Sequence, residues 1–303
     1  MTINRRAFSR IAASFGLATI MGGAREAFAK DGARNSVSSD SVGVPQNVAE
    51  MEAQHDKAMQ KYGSFMSAPK LVVGMVAYPG MFLQDFVGPL TVFEALMNRE
   101  VHIIWKDLDP VKSIGAGGIT VTPTVTFKDC PQNLDILFVP GGVPGMFPVM
   151  EDPEIMSFLI EQSKTAKYLT SVCTGSFILG AAGLLDGYRA TSYWSMVDLL
   201  SEFGAIPVRS RVVIDRNRIT AGGVTAGIDF ALKIVAKVIG PEYAQAIQLY
   251  LEYDPAPPFN AGSPGKAPKR VKEFISDMSE SMNKMTDAIA LKIRKQYPQR
   301  FQK

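Results

Sequence analysis

The sequence predicts an α/β domain in which a mainly parallel sheet is sandwiched by helices, with an extra helix at the C-terminus. Three observations carry this reading. Short, β-rich apolar runs alternate with helix-like stretches from residue 69 to about 253, and strands that alternate with helices bury their sheet on both faces. One of those runs ends in a cysteine that opens a Gly-containing turn and a small-residue helix. An apolar share of 47% with 20% charged residues belongs to a globular chain and excludes a mainly disordered or collagen-like one.

The chain opens with Asn4-Arg5-Arg6-Ala7-Phe8-Ser9-Arg10, then a weakly apolar run from Ile11 to Gly23, then Ala27-Phe28-Ala29. A basic start, a short apolar centre and a small-x-small end make a secretory signal, and the paired arginines resemble the twin-arginine type. An amphipathic helix that stays attached is the competing reading; the order of the three features favours a signal over residues 1–29 and export to a bacterial periplasm. Residues 30–68 are rich in Ser, Asn, Gly and Ala and read as a linker, within which Val48, Met51, Ala58, Met59 and Tyr62 fall near helical spacing. One short helix is expected there, with His55 on its solvated side.

From 69 to about 260 lies one domain with one core. Strands are expected at Leu71–Ala77, Val101–Lys106, Leu134–Pro140 and Tyr168–Cys173, with helices at 88–98 and 153–166 between them. Ile119–Phe127 alternates around Pro123 and reads as a small antiparallel excursion. Further strands follow at Ala190–Tyr193, Val212–Ile214 and Arg218–Thr220, with helices near 195–203 and 225–239. In the tail, 261–303, Val271, Ile275, Met278, Met282, Met285 and Ile289 step by four and three, the spacing of a narrow apolar helical seam. Such a helix docks on its own domain or on a second subunit. Ten Lys and Arg against four Asp and Glu in the tail also keep a membrane-surface role open.

Charge and composition exclude several functions. Lys and Arg exceed Asp and Glu by three over the whole chain, and that excess sits in residues 1–29, where four Arg face one Glu. The remainder is neutral, so the electrostatic footprint of a nucleic-acid binder is missing. No uncharged apolar run reaches the ~18–20 residues needed to span a bilayer. Two Cys cannot make a disulfide framework, and two His, at positions 55 and 102, leave little material for a zinc site. No metal and no organic cofactor is expected. Gly115-Ala116-Gly117-Gly118 is not placed between a strand and a helix, so it is a poor dinucleotide loop. Cys130 and His102 read as packing residues.

The most informative stretch is Tyr168-Leu-Thr-Ser-Val-Cys173-Thr174-Gly175-Ser176. A strand that runs into a tight turn and a helix is the geometry of a nucleophile elbow. The turn lifts the sulfur out of the sheet edge, and the helix N-terminus offers free N–H groups that favour thiolate over thiol. Its place at a strand C-terminus, where α/β sheets bind ligands, favours a reactive cysteine over a buried structural one. Asp85 stands just beyond the first strand among Leu83, Phe86 and Val87, where a carboxylate has no evident solvated role. It acts on the chemistry or caps the helix expected from Gly88.

The run from Ser171 to Gly187, together with Val139-Pro-Gly-Gly142, Ala221-Gly-Gly-Val-Thr-Ala-Gly-Ile-Asp-Phe-Ala-Leu232 and Gln248-Leu-Tyr-Leu-Glu-Tyr-Asp-Pro255, resembles the ThiJ/PfpI superfamily and, within it, the isonitrile hydratases. The resemblance covers about residues 70–260 and implies a flavodoxin-like fold. It also implies that Cys173 is the nucleophile, with Asp85 and Thr174 beside it as functional residues, although Thr174 could equally cap the elbow helix. Gly141 and Gly142 match the turn whose backbone N–H groups approach the sulfur, or form a plain tight turn. Tyr193, of Thr191-Ser192-Tyr193-Trp194, stands where relatives often carry histidine and is expected to shape the substrate pocket. With Thr174 following the cysteine, a Cys–His dyad of the peptidase type has no obvious second member.

The implied reaction is hydration of a small-molecule isonitrile to an N-substituted formamide through a cysteine thioimidate, without metal or cofactor. Two other readings remain: a non-catalytic thiol module that is oxidised or binds a partner through the tail helix, and a glyoxalase- or deglycase-like activity on reactive carbonyls. A homodimer is expected from the resemblance.

Overall fold

Seven strands form one sheet in the order β10-β11-β7-β6-β1-β2-β5, in a computed structural model that describes residues 57, 60–63, 68–115 and 118–301. The main strands are β1 (Leu71–Val76), β2 (Arg99–Trp105), β5 (Val125–Thr126), β6 (Ile136–Val139), β7 (Tyr168–Val172), β10 (Val212–Asp215) and β11 (Arg218–Ala221). β1 runs parallel to β6, β6 to β7, β7 to β11 and β2 to β5, while β10 closes one edge antiparallel to β11. The alternation of apolar runs therefore yields the expected sheet sandwiched by helices. Every residue of β6 and β11 is buried, as strands covered on both faces must be.

The helices are α1 (Leu83–Glu94), α2 (Met146–Glu151), α3 (Pro153–Gln162), α4 (Gly175–Ala181), α5 (Ala226–Val238), α6 (Pro241–Tyr250) and α7 (Lys269–Gln296). Asp152 ends α2 and caps α3, its side chain accepting from Glu154 N at 3.0 Å, with Pro153 in the first helical position, where no N–H is needed. Among the described residues no helix is long and apolar enough to cross a membrane.

Several expectations are corrected. α1 begins at Leu83, not near Gly88, so Asp85 lies in the first turn of a helix rather than in a loop. The stretch 119–127 divides: β4 (Thr120–Val121) pairs antiparallel with β3 (Val111–Lys112), but Val125–Thr126 joins the main sheet beside β2. The strand expected at Ala190–Tyr193 stops at Ala190, and β8 (Arg189–Ala190) pairs with β9 (Ile206–Pro207) outside the main sheet. Residues Val197–Phe203 form a 3₁₀ helix, and α6 was not anticipated.

The tail is helical, but its seam is displaced. Val271, Met278 and Met285 are 47%, 58% and 50% exposed, while Ser279, Thr286, Ile289, Ala290 and Ile293 are buried. α7 docks on its own domain, against the Val197–Phe203 turn and α2. Small side chains let the helix approach closely, and the Ser279 and Thr286 hydroxyls donate to Ile275 O and Met282 O at 2.8 and 2.9 Å. Buried hydroxyls satisfied within their own helix carry little penalty, which hides this face from a count of apolar residues.

The chain divides into two units, 71–93 with 100–303 and 1–70 with 94–99. In the smaller one Asn98 Nδ2 donates to Ala68 O at 3.1 Å, and Arg99 Nη2 lies 2.9 Å from Glu94 Oε2. The expected signal and nearly all of the expected linker helix lie outside the described residues, as does His55; Lys57, Gln60, Lys61 and Gly63 are helical.

The tightest approach in the core is the elbow helix against β6. A Cβ on Gly175 would lie 2.3 Å from Val139 O and 2.6 Å from Pro140 O. Backbone oxygens cannot swing aside, so Gly175→Ala is expected to destabilise by about 2–3 kcal/mol, read as a lower urea midpoint at unchanged slope.

Candidate active site

Three strand ends build the site. β1 leads through Tyr78 to Asp85 in α1, β6 ends at Pro140-Gly141-Gly142, and β7 ends at Cys173. β1 lies between β2 and β6, so the chain leaves it in one direction and returns on the other side. This is the switch point at which parallel α/β sheets open a crevice.

Cys173 has φ 54° and Val224 has φ 40°. Both are left-handed, and a β-branched residue such as Val224 pays about 1–3 kcal/mol for it. The surroundings fix the elbow on every side. Cys173 N lies 3.0 Å from both Ala221 O and Gly222 O, and Cys173 O accepts from Ser176 Oγ at 3.1 Å and Ser192 Oγ at 3.0 Å. The backbone N–H groups of Thr174 and Val224 face the sulfur.

Asp85 is fully buried. Its Oδ2 accepts from Gly141 N at 3.1 Å, and Gly142 N donates to Thr174 Oγ1 at 3.0 Å. A Cβ on Gly141 would lie 2.6 Å from Thr174 N, 2.7 Å from Asp85 Oδ2 and 2.8 Å from Thr174 Oγ1. Glycine at 141 therefore lets carboxyl, hydroxyl and elbow close on one point. Asp85 Oδ1 has no protein partner in ordinary hydrogen-bond geometry, and the Cys173 thiol lies beside the carboxyl as a hydrogen-bonding neighbour.

These positions remove the capping alternatives for Asp85 and Thr174. The Asp85 carboxyl turns across to Gly141 instead of capping α1. Thr174 heads α4 without a side-chain cap bond and gives its oxygen to Gly142. The Gly141 and Gly142 N–H groups serve Asp85 and Thr174, so the amides presented to the sulfur come from Thr174 and Val224.

Burial raises Asp85 from 3.8 to about 7, opposed by the hydrogen bonds from Cys173 and Gly141. Burial, then the charge of Asp85, pushes the Cys173 thiol well above its ordinary value against the pull of the Thr174 and Val224 amides. The expected resting thiolate is thus corrected: desolvation outweighs the helix N-terminus, and carboxyl and thiol titrate as one pair.

Tyr78 and Val224 were not singled out in the sequence. Tyr78 is fully buried and donates to Pro140 O at 3.2 Å; burial and then the charges of Asp85 and Cys173 hold its phenol protonated. Its position just past β1 was the available signal. Tyr193 is close enough to Cys173 for the sulfur's charge to add to burial in raising its phenol, and its ring packs at 6.0 Å, tilted 49°, from Trp194. Beyond Tyr193 and Val224 opens a cavity of about 580 Å³, which Asp85 and Cys173 do not themselves line. His102 lies on β2 with Nε2 2.9 Å from Glu100 Oε1. Cys130 is buried, and burial pushes its thiol to about 11, an unreactive value.

Comparison with known proteins finds relatives over the domain that carries this site. The profile of the DJ-1/PfpI family matches residues 71–237. Isonitrile hydratase of Pseudomonas putida is 51% identical over 201 residues, 66% of this chain and 86% of that protein. The glutathione-independent glyoxalase DJR-1.2 of Caenorhabditis elegans is 34% identical over 140 residues, 46% of this chain and 73% of that one. The crystal structure of a ThiJ/PfpI family protein from Pseudomonas syringae superposes with a TM-score of 0.72 at 48% identity, over 74% of this chain and 91% of that chain.

The elevated carboxyl has a consequence for stability. Between about pH 4 and about 7 the folded protein holds a proton on Asp85 that the unfolded chain has released, so this group's contribution declines as pH rises through that window and is lowest above it. Asp85→Asn removes the effect. The stability of the natural protein relative to that variant is expected to fall by several kcal/mol from pH 4 to 8, measured by paired urea titrations; a constant difference across that range contradicts a buried, elevated carboxyl.

Proposed function

The chain belongs to the DJ-1/PfpI family, and from that premise we propose that it hydrates isonitriles to N-substituted formamides, as the name of its Pseudomonas putida relative describes. The observation that carries this reading is a fully buried acid with a pKa of about 7 beside an elbow cysteine. An isonitrile, R–N≡C, is a poor electrophile until its terminal carbon gains a proton, so a proton and a soft nucleophile must arrive together.

In its singly protonated form the pair supplies both. The shared proton passes from Asp85 to the isonitrile carbon as the Cys173 sulfur bonds to that carbon, giving a neutral thioimidate, R–N=CH–S, and leaving a carboxylate. Asp85 then takes a proton from water while the hydroxide adds to the same carbon, and the nitrogen receives that proton. Collapse of the adduct breaks the C–S bond, releases R–NH–CHO and returns the hydroxyl proton to the pair. Thr174, its oxygen held by Gly142 N, keeps its hydroxyl proton to orient the water. Tyr78, protonated and tied to Pro140 O, keeps the floor of the site neutral.

The relative named as a glyoxalase keeps reactive carbonyls as the second reading, and methylglyoxal consumption without isocyanide turnover would favour it. Export is proposed on the twin-arginine sequence at residues 4–10, and fractionation of cells carrying intact or Arg5→Lys, Arg6→Lys chains tests it.

Formamide production from a panel of isocyanides is the direct test. Cys173→Ala is expected to abolish turnover, and Asp85→Asn to lower kcat by about 10²–10⁴-fold. Full activity in the Cys173 variant refutes the covalent route. Because the reactive form carries one proton, kcat/KM is expected to rise with pH through about 7, where the pair loses the first of its two.

A further inference from the structure

The cavity of about 580 Å³ beyond Tyr193 has walls of two different origins. Its inner wall is the backbone that holds the nucleophile. Ser192 lines it and donates to Cys173 O, Gly222 lines it and accepts from Cys173 N, and Val224 lines it while its N–H faces the sulfur. Its outer wall comes from the tail, the 261–265 segment with Val271 and Ile275 of α7. The family profile ends at residue 237, so the inner wall lies within the family's shared domain and the outer wall beyond it.

The size and character of this space point to a substituent rather than to the reacting group. An isonitrile carbon and nitrogen with an attacking water need little more than the space of two waters at ~30 Å³ each, whereas pockets that hold whole organic ligands span about 300–1,000 Å³. Trp194, Val197, Val224, Ala226, Val271 and Ile275 give an apolar lining. The two arginines on the wall are neutralised: Arg209 is paired with Asp198 and Arg211 with Asp229. Lys272 also lines the cavity and is exposed, so a bulky and mainly apolar body is the occupant this lining favours.

We propose that this cavity receives the substituent R of the substrate and that Ile275 of the tail helix sets the limit on its size. This rests on the reading of Cys173 as the nucleophile. Tyr193 lines the cavity and is near enough to Cys173 to feel the sulfur's charge, so the substituent lies along its ring while the terminal carbon reaches past it. Ile275 touches no reacting atom and acts on substrate size alone.

The experiment compares methyl, benzyl and diphenylmethyl isocyanides on the full chain with Ile275→Phe and Ile275→Ala. Ile275→Phe is expected to raise KM for the diphenylmethyl compound at least tenfold, leaving its kcat and all constants for methyl isocyanide within about twofold. Ile275→Ala, which removes bulk and guards against a misfolded Phe variant, is expected to improve the diphenylmethyl compound relative to benzyl. Equal effects on all three substrates overturn the proposal. Calorimetric binding of N-(diphenylmethyl)formamide separates it from the hydratase reading. Binding that weakens at least tenfold in Ile275→Phe, with no isocyanide turned over, upholds the cavity and removes the reaction, and formamide binding that is absent or unchanged in the variant overturns the cavity.

Discussion

A carboxyl and a thiol buried side by side, with more protons at neutral pH than the two of them would hold in isolation, impose the constraint on which the site depends. Removing Asp85 from water raises its pKa to about 7, and the same desolvation raises the thiol further. Neither group can take a full charge without disturbing the other, so carboxyl and thiol titrate as one pair. The surrounding bonds hold that arrangement in place. Gly141 N fixes one carboxyl oxygen, Gly142 N fixes the neighbouring hydroxyl, and the amides of Thr174 and Val224 temper the thiol without ionising it.

The geometry is affordable because it is built where three parallel strands end together. β6 and β7 are locked in register from Ile136 against Tyr168 to Val139 against Ser171, which sets the distance between the Gly141 turn and the elbow. Gly175 then lets α4 press on Val139 O. The strain at Cys173 and Val224, two non-glycine residues at positive φ, is carried by a rigid sheet on one side and by serine hydroxyls on Cys173 O on the other. A few kcal/mol stored in the backbone is tolerable where the packing over-determines the chain path.

The tail adds something separate from the chemistry. α7 sits on the domain through small and hydroxyl-bearing residues, and Asn283 Nδ2 reaches Ser195 O at 3.4 Å. Ion pairs from Lys292 to Glu151 and from Arg294 to Glu202 lie along the same contact; exposed pairs of this kind contribute little energy each, and the close approach of the helix does the anchoring. One end of α7 thereby becomes the far wall of the cavity beyond Tyr193.

By itself the sequence determined the layer structure, because alternating apolar runs admit few other folds, and it determined the elbow, because Val-Cys-Thr-Gly after an apolar strand leaves the sulfur at a strand end. It also pointed to Asp85, an acid among apolar neighbours with nowhere else to be solvated. What only the tertiary structure decided depends on groups far apart in the chain. Asp85 meets Gly141 across 56 positions, and Gly142 meets Thr174 across 32. The Val224 amide, the Tyr78 phenol and the resting protonation of the pair follow from burial that no local pattern encodes. The docking face of α7 was equally hidden, since serine and threonine that bond within their own helix can pack like small apolar residues, and composition does not show which hydroxyls do so.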